Sequence, residues 1–381
     1  MADENKLTFE IDFDTGQARR KFGQLENKAS RSGENAGENY TERFNREIKN
    51  IAIGNIIADG AKRAVEGLGS QLKEGLNDLR DFSRSVAEAN SILSSNEQIT
   101  EATKKQFVGF SAQFATSQAK QVDAFYNIVS GGIEDTVNQL DVLETANEAA
   151  TAGLVDISTA ASTLVSSVNA YSSAGLTAKQ ASDALFTAVK EGQTTFPKLA
   201  SKIGRVAPIA SSAGISFDEL TGAIAGLTKG GIETSEAVTG LRQLLNGVIK
   251  PTKQATETAR KFGIELSGNA IRAAGGFSNF LEDLINKTGG SVDVLSKLFT
   301  STEALTPILS IASRGVENFK ETLDETSNSA GSTAEAMSRV QESLDFELKR
   351  QTAEFKALRV ELTQNLLPFM QQFLRNIQTI T

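Results

Sequence analysis

Residues 61–93 read AKRAVEGLGSQLKEGLNDLRDFSRSVAEANSIL, and their spacing decides the fold class. Apolar or small residues stand at Ala61, Val65, Leu68, Leu72, Gly75, Leu79, Phe82, Val86, Ala89 and Leu93. The steps alternate four and three throughout, which puts all ten positions in one heptad seam on a helix face. Such a long seam predicts a coiled coil. The plainer alternative is a long helix packed on the rest of its own chain. Gly67, Gly69 and Gly75 either weaken this helix or let a neighbour come close. A second seam lies near the other end of the chain. It runs through Met337, Leu344, Leu348, Phe355, Leu358, Leu362 and Phe369, with Gln351 and Asn365 in the same line. A polar residue in a seam costs stability and can fix register.

Composition agrees with a helical protein. Five prolines in 381 residues, with abundant Ala, Ser, Thr, Leu and Glu, suit long helices better than a turn-rich β fold. Histidine, cysteine and tryptophan are absent. Without Cys there is no disulfide framework, thiol nucleophile or Cys-ligated zinc. Without His, Ser-His-Asp and Cys-His catalysis are excluded. The net charge of −8 argues against a general nucleic-acid binder, whose affinity comes from neutralising phosphates. No apolar run approaches the ~18 residues that span a bilayer. The opening MADENKLTFE lacks the basic start and apolar stretch of a secretory signal.

The expected architecture is mainly α, with long heptad helices flanking a compact bundle of helical hairpins and one short N-terminal strand. Residues 1–40 hold the strand, a short helix and a linker. Leu7, Phe9, Ile11 and Phe13 alternate with polar residues. A basic helix over 17–30 and a Ser/Gly/Asn link over 31–39 follow. Residues 41–99 form the first coiled-coil-like helix and 100–326 the central helical core. Residues 327–381 form a linker and a final helix whose amphipathic end predicts continuation in a longer parent chain.

Residues 86–160 carry three Lys+Arg against ten Asp+Glu, and 161–290 carry thirteen against ten. Thr177-Ala-Lys-Gln180 and Ser216-Phe-Asp-Glu219 fit the capping box at a helix start. Gly230 is placed to end one helix, with the next starting near Thr234. Breaks are expected near Pro197, Pro208 and Pro251. Gly222, Gly226 and Gly230 share a helix face and predict a close helix crossing.

Catalytic signals are sparse. Ser117-Gln-Ala-Lys120, Ser182-Asp183 and Lys287-Thr-Gly289 follow the order of the serine β-lactamase motifs. Ala184, however, stands where that pattern has Asn, and the last triplet sits at a helix end rather than on a strand. Carboxylate neighbours at Glu134-Asp135, Asp218-Glu219, Glu282-Asp283 and Asp324-Glu325 point about 100° apart on a helix, so they do not face one another. They read as solvation or helix N-terminal charge. The expectation is no enzyme, no cofactor and no metal.

The stretch from 170 to 266 carries a more specific signal. It includes Gly192 to Phe196, Ile203-Gly204-Arg205-Val206-Ala207-Pro208 and Gly214-Ile215-Ser216-Phe217. Further on are Gly231-Ile232 with Thr234-Ser235-Glu236-Ala237, then Leu241-Arg242-Gln243 and Lys250-Pro251-Thr252. Together these resemble the core of phage tail tape-measure proteins, and LTFEIDFDTGQARRKFGQLE resembles their usual start. The resemblance implies a structural protein in the tail lumen of the virion, made in the host cytoplasm. It implies that chain length limits how many tube rings stack, and that the protein leaves before DNA passes. The implied partners are the tail tube protein, other copies of the chain, a tail assembly chaperone and tail tip or baseplate proteins, with no specific nucleic acid. Copies would meet along Ala61, Val65, Leu68, Leu72, Leu79, Phe82, Val86 and Leu93, and along Leu344, Leu348, Phe355, Leu358, Leu362 and Phe369. Most members are longer and carry hydrophobic spans. The competing reading is a membrane-active helical protein that helps perforate the host envelope.

Overall fold

A computed structural model describes residues 58–95 and 98–378. The expected strand at 7–13, the helix at 17–30 and the link at 31–39 lie outside those residues. Among the described residues there are eighteen α-helices and no strand, so the chain is mainly α. Contacts divide the chain into two units, Met1–Gln71 and Leu72–Thr381. The packing below is that of the second unit.

Helix α1 (Ala58–Ile92) enters it. Helices α2 (Glu101–Gln113), α3 (Gln118–Ser130), α4 (Thr136–Gly153) and α5 (Ile157–Ala170) come next, each packed on its sequence neighbour or the one beyond. Then come α6 (Ala178–Glu191), the short α7 (Phe196–Ala200) and α8 (Ala207–Ala213), α9 (Phe217–Lys229) and α10 (Thr234–Ile249). Four shorter helices follow: α11 (Lys253–Lys261), α12 (Gly268–Ala273), α13 (Phe277–Thr288) and α14 (Val292–Leu298). Helices α15 (Thr302–Arg314) and α16 (Val316–Ser327) return across α10 and α9. Helices α17 (Ser332–Gln341) and α18 (Leu344–Gln378) complete the chain.

Local chemistry sets many of these boundaries. Both capping boxes form, with Thr177 and Gln180 at α6 and Ser216 and Glu219 at α9. Pro197 and Pro208 sit in the first turns of α7 and α8, where a missing N–H costs nothing. Gly230 caps the end of α9, and Glu233 caps α10. Glu219 also works beyond its own helix, because its Oε1 accepts the Phe277 N–H at 2.8 Å and caps α13.

The core is centred on two helix crossings. Helix α9 crosses α16 on its glycine face. A Cβ on Gly222 would stand 3.1 Å from the Leu323 Cα, and one on Gly226 would stand 2.8 Å from the Phe319 ring. The expected close crossing is therefore present. Helix α10 crosses α15 at Gly240, where a Cβ would lie 2.6 Å from the Pro307 ring and 2.8 Å from the Glu303 carbonyl oxygen. That carbonyl is the one Pro307 leaves without a helical N–H.

Phe82, Val86, Ala89 and Leu93 of the first seam join the same buried cluster as Phe125, Leu164, Leu185, Leu241 and Leu323. The stretch 327–333, read as a linker, holds only a short turn at 328–331 between α16 and α17, and it is fixed to α6. Buried Asp183 accepts the Gly331 N–H at 3.0 Å and the Thr333 N–H at 2.9 Å. The Ser182 and Thr333 hydroxyls hydrogen-bond at 2.8 Å, and those of Thr187 and Ser332 at 2.7 Å. Small polar residues look like a loop in sequence, yet here Ser332, Thr333 and the Gly331 amide are hydrogen-bonded to α6, with Ser329 and Thr333 buried. The expected single final helix is likewise two helices, broken at Glu342 and Ser343.

Candidate assembly surface

The residues with possible catalytic order are each used locally. The Ser117 Oγ accepts the Lys120 N–H at 3.3 Å and caps α3. The Lys120 ammonium lies 2.5 Å from Asp156, and this bond, before any other cause, holds the Asp156 carboxyl below its ordinary range. Ser182 faces Thr333. Lys287 pairs with Asp283 at 2.7 Å and donates to the Gly263 carbonyl at 3.0 Å. Of the carboxylate neighbours, Asp135 caps α4, Glu219 caps two helices and Glu282 pairs with Lys320. Among the described residues no group of His, Cys, Asp or Glu is arranged to hold a metal ion. No described helix is long and apolar enough to cross a membrane.

A groove of about 480 Å³ is open and lined mainly by hydroxyls, including Ser158, Ser162 and Ser166, with Arg205 at its side. A more distinctive surface is the outer face of α18. At ~100° per residue, Leu344, Leu348, Gln351, Phe355 and Leu358 fall within about 40° of one line along the helix. Leu344, Leu348, Phe355 and Leu358 are 74%, 55%, 54% and 47% exposed. Phe346, Ala353, Ala357 and Val360 form a second stripe on about the opposite side, and all four are buried. This inner stripe faces α2 and α1. Arg359, on the flank between the two stripes, forms two ion pairs with Glu74 and Asp78 of α1. Gly75 of α1 lies against Arg359, where a Cβ would come 3.0 Å from the arginine stem. Gly75 therefore permits the close approach that its place in the first seam suggested.

The two seams thus have different fates. In the first, Phe82, Val86 and Leu93 are buried within the chain and Leu79 is half-buried. In the second, Leu344, Leu348, Phe355 and Leu358 face solvent, and Met337 turns inward on α17 because the helix breaks after it. The side chains of Ala61, Val65, Leu68, Leu72, Leu362 and Phe369 lie outside those described. The inner stripe was missed in sequence. Its signal was available, since Phe346, Ala353, Ala357 and Val360 are themselves spaced seven, four and three apart.

Among the described residues the body is all-helical, the residues of possible catalytic order are tied into structural bonds, and α18 carries an exposed apolar stripe. The chain belongs to the family of phage-related minor tail proteins, whose family model matches residues 104–300, more than half of its length. That match contains the stretch 170–266 that carried the resemblance. The chain is 23% identical over 299 residues to the tape measure protein of Pneumococcus phage Dp-1, covering 76% of this chain and 25% of that protein. It is 21% identical over 359 residues to the probable tape measure protein of Clostridium phage phiCD119, covering 92% of this chain and 37% of that protein. The chain therefore spans between a quarter and two fifths of these relatives' own lengths. No solved structure matches it.

Proposed function

We propose that the chain is a structural ruler of a phage tail, lying in the tube lumen and limiting how many rings stack before it is expelled ahead of the DNA. The observation that carries this reading is similarity to a probable tape measure protein over 92% of the chain. Its partners on this reading are the tail tube protein, tip or baseplate proteins, an assembly chaperone during synthesis and other copies of itself. It performs no catalysis and needs no cofactor. Rod-like elements suit the task, since α1 and α18 each have 35 residues and are each about 52 Å long at ~1.5 Å per residue.

The test is tail length. Insertion of about 36 helix-forming residues after Thr363 adds ten whole turns and keeps the preceding contacts in phase. A ruler read in helical form lengthens the tails by about 54 Å. Tails of unchanged length in electron micrographs would remove the ruler role from this segment.

A further inference from the structure

We propose that a pocket at the meeting of α9, α15 and α16 binds a carboxylate carried on a short apolar group, either a polypeptide C-terminus or a free short-chain acid. The pocket holds about 190 Å³. Its base is apolar: Leu227 of α9, Ile311 of α15 and Phe319 of α16 line it, and all three are buried. Its exposed lining carries two cations, Lys229 at the end of α9 and Arg314 at the end of α15. A ligand that suits both parts is amphiphilic, with its apolar end inward and its negative oxygens at the mouth.

Both cations are available to a ligand. Among the described residues neither makes an ion pair or a side-chain hydrogen bond. Arg314 is not needed to cap α9, because backbone amides already take the carbonyls that end that helix. The Gly226 carbonyl accepts the Gly230 N–H at 3.1 Å, Leu227 accepts Ile232 at 3.2 Å and Thr228 accepts Gly231 at 2.9 Å. Gly230 instead makes room for the guanidinium: a Cβ there would stand 2.5 Å from the Arg314 Nη1 and 3.2 Å from the Ser310 Oγ. Ser310 thus adds a hydroxyl beside the guanidinium in the pocket lining. The Asn318 amide donates to the Arg314 carbonyl at 2.8 Å and fixes the backbone that carries the arginine. Glu325 does not serve as the partner of Lys229. Its hydrogen bond to Glu191, followed by burial and the Glu191 charge, holds its carboxyl above the ordinary range, with Lys229 and Lys190 opposing.

Charge sets the class of anion. Two cations with Glu321 in the same lining leave a single net positive charge, which matches a carboxylate better than a phosphate dianion. The Arg314 fork suits both oxygens of one carboxylate, and Lys229 adds a point charge. Gly315 opens α16 without a side-chain cap, so the positive end of that helix lies at the same edge. The site is independent of the ruler role.

Calorimetric titration of the full chain tests the site, at about 0.15 M salt so that unspecific attraction is screened. The probes are valerate, a short peptide ending in Ala-Val with a free carboxylate, the same peptide amidated, and inorganic phosphate. At least one carboxylate probe is expected to bind with a Kd below about 1 mM. The amide and phosphate are expected to bind about tenfold more weakly or worse. Valerate binding as tightly as the peptide, or more so, assigns the free acid as the source; tighter peptide binding assigns a polypeptide terminus. Combining Lys229→Ala with Arg314→Ala changes only exposed side chains, and it should weaken the carboxylate probe about tenfold. Any of four results overturns the site: neither carboxylate binds, the amide binds as well as the acid, phosphate binds more tightly than both, or the double variant binds like the native chain.

Discussion

Helices α9 and α18 both meet their neighbours through small residues, yet they are built to different ends. Helix α9 uses Gly222 and Gly226 against α16 and also buries Phe217, Leu220, Ala223, Ile224 and Leu227. It is apolar nearly all round and lies at the centre of the molecule. Helix α18 uses Ala353 and Ala357 on one face and leaves larger side chains in water on the other. Its buried residues do not join the contiguous core. The difference teaches that burial inside this chain does not go to the most apolar stripe. It goes to the stripe that complements the neighbouring surface. Ala353 and Ala357, with Phe346 and Val360 in the same stripe, are buried on the docked side of α18, and the stripe of Leu344, Leu348, Phe355 and Leu358 stays exposed.

The comparison is most severely tested at the α9–α16 crossing. Gly222→Leu places a side chain where even a Cβ nearly touches the Leu323 backbone, so strain spreads through both helices. A loss of about 3 kcal/mol in chemical denaturation is expected. A loss below ~1 kcal/mol would mean that the two helices separate easily. Asp183→Ala comes next. It leaves the buried Thr333 N–H and the part-buried Gly331 N–H without their acceptor and loosens the turn before α17. About 2–3 kcal/mol is expected, with Asp183→Asn between it and the native chain.

Arg359→Ala acts on α18 alone. It removes the ion pairs to Glu74 and Asp78 and costs about 1 kcal/mol. Hydrogen exchange should quicken in α18 while α9 and α10 stay protected. Uniform acceleration through α9 would show instead that the helix and core open together.

The smallest effect is expected at Glu148 on α4. Burial, ahead of any neighbour, pushes its carboxyl above the ordinary range, with Lys179 opposing and Glu144 and Asp183 adding to the rise. The unfolded chain therefore ionises first as pH rises. The stabilising contribution is present in full below the ordinary carboxylate range and is lost as pH rises through the raised value. Glu148→Gln should stabilise by at most about 0.5 kcal/mol near pH 7 and do nothing near pH 3. An equal effect at both values would assign the change to packing rather than charge.

Much of the fold was legible because its signals are local. A capping box satisfies amides within one turn, so Thr177 and Ser216 announced α6 and α9 directly. The glycine row of α9 announced a crossing, since only a missing Cβ allows that approach. The joint at 327–333 was not legible. Its polar residues have the composition of a loop, and Asp183, about 150 positions earlier in the chain, ties them to α6. The faces of α18 were half legible: Leu344, Leu348, Phe355 and Leu358 share one exposed stripe, as their spacing predicts, while the stripe that docks the helix went unnoticed.

Periodicity and composition thus determined that the chain is helical, where many helices begin and end, and which residues share a face. They also excluded histidine- and cysteine-based chemistry, because a residue type that is absent cannot act. Tertiary structure alone decided which face meets which neighbour. A heptad seam states only that a helix has an apolar side. Whether its own chain or another molecule covers that side depends on the shape opposite it, and that shape is assembled from residues far apart in sequence.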